Sequence, residues 1–110
     1  MTLSPFARVR IFADDSLERV ADVLSEKLFA RVPFGGSELG LFDEVPALRL
    51  EGDFLGLFVA VHGEKGEYVL LIQPTPKSLR GKKFLDADIS NYLAGLVRSI
   101  GLWRVEVPKA

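Results

Sequence analysis

The chain has 110 residues, 48% hydrophobic and 26% charged, with a formal charge of −1 and no cysteine. That length supports one domain, residues 1–110, able to bury roughly 60–70% of its unfolded surface. Disulfides, thiolate catalysis and thiol-ligated zinc are excluded. No apolar run reaches the length of a membrane helix, and the N-terminus lacks a basic-then-apolar leader, so a cytoplasmic protein without a membrane partner is expected.

Phe6 to Phe12 reads as a first strand, with Ala7, Val9 and Ile11 alternating against Arg8 and Arg10. Asp15 followed three residues later by Glu18 predicts a helix start of capping-box type, with Asp15 as N-cap. Leu17, Val20, Ala21, Leu24 and Leu28 then carry the helix to about Ala30, leaving Glu18, Arg19, Asp22, Ser25 and Glu26 on its wet side. The stretch from Phe34 to Pro46 is glycine-rich and irregular. It is read mainly as a loop, with a short edge strand near Leu39–Phe42.

Three apolar runs follow, Ala47–Leu50, Phe54–Val61 and Tyr68–Ile72, separated by the turn signals 51–53 and 62–67. They predict an antiparallel meander whose middle member is the central strand. Period two puts Leu55, Leu57, Val59 and Val61 on one face. Phe54, Gly56, Phe58, Ala60 and His62 fall on the other. Both faces of this strand are apolar, so its second face is expected to be covered, within the chain or by a second copy.

After the basic connection 77–83, Asp86 or Asp88 is the expected cap of a second helix. Its stripe is Ile89, Tyr92, Leu93, Leu96, Val97 and Ile100. Gly101 suits its C-terminal cap, and Gly95 within it points to close packing on the sheet. Trp103–Val107 is a last strand. The fold class expected is α+β, a mostly antiparallel sheet with a central three-stranded meander and two amphipathic helices on one face, in the order β-α-(β)β-β-β-α-β.

Catalytic signals are missing from the sequence. His62 is the one histidine and reads as a solvent-facing residue at a strand end. Gly35-Gly36-Ser37 is followed by Glu38 where a phosphate loop needs Lys, and no Gly-x-Ser-x-Gly elbow is present. The Asp-Asp pair at 14–15 and Asp86-Ala87-Asp88 lack calcium-loop spacing and are explained by capping. The expectation is therefore a non-enzyme without cofactor or metal. Lys77–Lys83 is too small a basic cluster, with Phe84 alone beside it, to predict nucleic-acid binding.

Charge is unevenly distributed. Residues 1–55 hold ten acidic and six basic side chains, whereas residues 56–110 hold five and eight. The acids group at Asp14, Asp15, Glu18, Asp22 and Glu26, and again at Glu38, Asp43, Glu44, Glu51 and Asp53. Such an acidic surface would steer a basic partner. Phe42 beside Asp43 and Glu44 either offers an aromatic anchor or, with Phe34, tucks into the core. The expected partner-binding residues are thus Glu38, Phe42, Asp43, Glu44, Glu51 and Asp53.

The β–α start, the segment Gly40-Leu41-Phe42-Asp43-Glu44-Val45-Pro46, the run Gly52–Gly63 and the ending Ile100-Gly101-Leu102-Trp103 together resemble small bacterial immunity proteins. These belong to contact-dependent inhibition and related polymorphic toxin systems. The resemblance covers size, element order and texture across most of the chain, and carries no site residue over. It implies a single cytoplasmic domain that binds a cognate toxin domain, often a basic nuclease, and blocks its active site. The alternatives are a small-molecule-binding or enzymatic α+β domain, and a structural homo-oligomer, with a homodimer through the Phe54/Phe58 face.

Overall fold

The structure is a computed structural model that describes residues 2–37, 46–51, 54–75 and 84–108. It is α+β as expected, with two helices and a seven-stranded, largely antiparallel sheet among the described residues. The elements are β1 (Thr2–Phe12), α1 (Leu17–Leu28), β2 (Phe34–Ser37), β3 (Ala47–Leu50), β4 (Leu57–Glu64), β5 (Glu67–Pro74), β6 (Phe84–Asp88), α2 (Ser90–Ile100) and β7 (Arg104–Glu106). The sheet runs β2-β3-β4-β5-β1-β6, and β7 also pairs with β1. The meander β3-β4-β5 is present, with β4 and β5 paired over their full length and joined at Lys65-Gly66. Both residues of that turn have positive φ, 57° and 84°, which matches the twist of a two-residue hairpin.

Strand β1 organises the second half of the sheet. One of its edges pairs antiparallel with β5 over 7–12. The other is shared: β6 runs parallel to residues 2–6, and β7 antiparallel to 10–12. Between them the edge is closed by the start of α2. Ile89 N–H donates to the Phe6 carbonyl at 2.9 Å, and the Arg8 amide donates to Ser90 Oγ at 3.0 Å. The backbone groups of a buried strand edge are thus satisfied without a continuous partner strand.

Both helices lie on one face. Leu17, Val20, Ala21 and Leu24 of α1 and Leu93, Ala94 and Val97 of α2 share one buried cluster with Ala7, Val9, Ile11, Val59, Val61, Leu70 and Ile72 of the sheet. Ser16, not Asp15, is the N-cap of α1, its hydroxyl accepting from the Arg19 amide at 3.2 Å. Asp15 has another use, described below. Ser25, expected on the wet side, is buried and donates to the Val32 carbonyl at 2.6 Å, fastening the end of α1 to the segment after it.

At α2 the Asp88 carboxylate accepts from the Ser90 amide at 2.9 Å, and Gly101 closes the helix at φ 80°. Asp86 instead lies within β6, opposite Ser4. Tyr92, placed on the apolar stripe by spacing, is 68% exposed, because α2 turns Leu93, Ala94 and Val97 to the core, with half-buried Ile89, Leu96 and Ile100 beside them. Gly95 is exposed as well, and a methyl group there would touch nothing within 4 Å. Its absence of a side chain therefore does not serve close packing.

Two strands depart from expectation. Phe34–Ser37 forms an edge strand against β3, whereas the expected edge at Leu39–Phe42 lies outside the described residues. Phe84–Asp88 is a strand where a connection leading to a helix cap was expected, and it exists because β1 is four residues longer at its start than its alternation indicates.

Candidate partner-binding surface

The run Phe54–Val61 is not one strand. Phe54 and Leu57 exchange backbone hydrogen bonds, at 3.3 Å from Phe54 N–H and 2.9 Å from Leu57 N–H, around a two-residue turn. Leu55 and Gly56 at its tip have φ of 55° and 77°. This reverses the chain, so Phe54 and Phe58 do not share a face, and the expected Phe54/Phe58 surface does not form. Phe54 packs on the helix side, its ring meeting Phe29 edge-on at 5.5 Å, and Phe29 meets Phe34 in the same way at 6.0 Å. Leu55 is left 86% exposed.

That aromatic trio ties the end of α1 to β2 and to the β3–β4 connection. Ala30 and Arg31, which leave α1, also have positive φ, 52° and 66°. Three of the four non-glycine residues with positive φ among the described residues therefore surround Phe29, Phe34 and Phe54. Such conformations cost on the order of 1 kcal/mol each and persist only where the surroundings hold them.

Of the expected partner-binding residues, Glu51 stands at this end. It is exposed, its amide donates to the Pro33 carbonyl at 2.9 Å, and its carboxylate lies against Gly35, where any side chain would collide with it. Glu38, Phe42, Asp43, Glu44 and Asp53 lie outside the described residues. The first of the two acidic groups is positioned by the structure, most of it on α1. Glu18, Asp22 and Glu26 follow one another at i, i+4 and i+8, all exposed, with exposed Asp14 ahead of the helix. A spacing of four sets them in one line along the outer side of the helix. This acidic ridge runs toward the end of the molecule that holds Glu51 and Leu55. The exposed cations of α1, Arg19 and Lys27, are fewer.

The opposite face of the sheet has another character. The register aligns Ala60, Leu71 and Arg8 in one row, His62, Val69, Arg10 and Glu106 in the next, and Glu64, Glu67, Phe12 and Arg104 in a third. Arg104 lies over the Phe12 ring at 4.1 Å. His62, expected at a solvent-facing strand end, is instead half-buried inside β4. Its pKa is lowered, by burial first and by the Arg8 guanidinium second. Sequence reading missed this grouping because its members come from four strands.

Two shallow depressions flank this face. One, of about 510 Å³, is lined by Arg10, Arg98, Glu106, Val107 and Pro108. The other, of about 330 Å³, is lined by residues that include Asp14, Lys65, Trp103 and Arg104. Both are open, unlike the enclosed apolar pockets that hold small molecules. Among the described residues no three His, Asp or Glu side chains are grouped to hold a metal.

Comparison with protein families, with curated proteins and with solved structures gives no match. No helix among the described residues is long and apolar enough to cross a membrane.

Proposed function

We propose that this chain is a non-catalytic, cytoplasmic protein-binding domain of the immunity type, which docks on a basic toxin domain and occludes its active site. The acidic ridge Glu18–Asp22–Glu26 carries this reading. Parallel carboxylates on a rigid helix set up a field that raises the encounter rate with a cationic partner. The same ridge leads to a stiff end built on Phe29, Phe34 and Phe54, where exposed Leu55 and Glu51 supply an apolar contact with an acid beside it. Binding surfaces of this kind combine long-range steering with a few rigid anchors. The acids at 38, 43, 44 and 53 would add to the same side of the charge balance. The resemblance to contact-dependent-inhibition immunity proteins points the same way. The enzymatic and small-molecule readings have less support, since the two depressions described above are open rather than enclosed.

The direct experiment is co-expression with the product of the adjacent gene. The expected result is a complex that survives purification and relief of that product's toxicity. A neighbouring product that is neither toxic nor bound would overturn the immunity reading.

A further inference from the structure

The sheet face turned away from the helices does not follow the rule for a wet face. Strand β1 places exposed Arg8 and Arg10 there, but β4 and β5 place half-buried Phe58, Val69 and Leu71 around fully buried Ala60, where polar residues belong. None of these four is part of the helix-side cluster. An apolar middle with a charged, arginine-containing border has the composition of a protein interface.

The border charges are sorted. Glu64 and Glu67 stand directly opposite each other at the hairpin end of β4 and β5, an unfavourable pairing of like charges. Arg8 lies on the strand next to Glu67, on the same face, and its row is set by Leu71, four residues along β5 from Glu67. That is roughly 13 Å along the strand. A twofold axis in the plane of the face, crossing the strands at the level of Val69, exchanges these two levels. It places Val69 against its own copy and lays Glu67 of each chain over Leu71 of the other, within reach of the second chain's Arg8. The axis also sets Arg10 over its own copy, with Glu106 of the same chain beside it in register. The strands of the two sheets then run nearly aligned, as in face-to-face sheet packing.

We infer that this face binds a second copy of the chain, forming a twofold dimer through Val69 and Leu71 with reciprocal Arg8–Glu67 pairs. This inference does not depend on the immunity reading, because the acidic ridge lies on the helix side and stays free. Sedimentation velocity across a concentration series tests it with the intact protein alone. A dimer is expected, weakened by about tenfold or more in Val69→Asp, a change of about 1.4 kcal/mol. Arg8→Glu and Glu67→Arg should each weaken it, and the double variant carrying both should restore it. Far-ultraviolet circular dichroism on each variant separates lost association from lost folding, and the exposed Arg8 and Glu67 variants remain informative if Val69→Asp does not fold. A monomer at 100 μM (about a hundredfold above a 1 μM dissociation constant) would overturn the inference. So would a dimer indifferent to Val69→Asp, or two charge variants whose combination restores nothing.

Discussion

Trp103 donates its indole N–H to the Asp15 carboxylate at 3.0 Å, across 88 positions of sequence. The carbonyl of the same Asp15 accepts the Tyr68 hydroxyl at 2.6 Å. One residue between β1 and α1 therefore ties the loop before β7 to buried Tyr68 of β5. The sequence had offered Asp15 as a helix cap; Ser16 takes that role and leaves Asp15 free to join three segments.

Asp15→Ala should cost about 1 kcal/mol, since one hydrogen bond to a charged acceptor is lost at an exposed site. Because Trp103 is the only tryptophan, its fluorescence reports the change directly. Tyr68→Phe, which strips the hydroxyl from a buried ring, should cost about 1–2 kcal/mol. Urea melts with unchanged midpoints and an unshifted emission maximum in both variants would refute this tether.

Gly95→Ala should stabilise the protein by roughly 0.5–1 kcal/mol, because helix interiors favour alanine and the added methyl meets nothing. Leu70→Ala, at a fully buried position, should lose about 3 kcal/mol. If denaturant melts showed Gly95→Ala destabilised, the exposed placement of that helix face would be wrong.

Leu55 sits at φ 55° with its side chain in solvent. Asn tolerates that conformation better, so Leu55→Asn should raise stability by about 0.5–1 kcal/mol while removing an apolar contact from the proposed binding end. Calorimetry that found Leu55→Asn less stable than wild type would mean the leucine is packed.

His62 gives the fold a pH dependence of defined sign. Its folded pKa lies below the ordinary 6.5, so the unfolded chain binds the proton more readily. Stability should therefore be full above about pH 7.5 and fall as pH drops through 6.5 toward the folded value. His62→Gln should flatten this segment of the curve. Parallel stability–pH curves for the two proteins would contradict the burial of His62 beside Arg8.

Much of the fold is legible in the sequence because period and punctuation agree there. The alternation of Ala7, Val9 and Ile11, the helical spacing from Leu17 to Leu24, and Gly101 as a cap each correspond to the observed element. The misreadings occur where local pattern and tertiary contact diverge. Leu55-Gly56 continues an apolar run, yet the chain turns there, and an exposed leucine at positive φ gives no sign of itself in a hydrophobicity pattern. Tyr92 has stripe spacing but lies beyond the sheet that α2 covers. Strand β6 is short, acidic and dependent on β1 for its pairing. The arginine and glutamate rows of the open sheet face come from strands distant in sequence, so register alone assembles them. Of the expected binding residues, only Glu51 falls within the described residues, whereas the ridge on α1 was visible as a run of acids without its alignment.

The most direct measurement is the association rate with the adjacent gene's product, the partner that the proposed function requires, for wild type and for Glu18→Lys/Asp22→Lys/Glu26→Lys, between 50 and 500 mM salt (Debye lengths of about 14 to 4 Å). If the ridge steers docking, the wild-type rate falls steeply with salt. The triple variant then associates at least about tenfold more slowly at low salt, with little salt dependence. Equal rates and equal salt slopes for the two proteins would contradict the acidic ridge as the partner-facing surface.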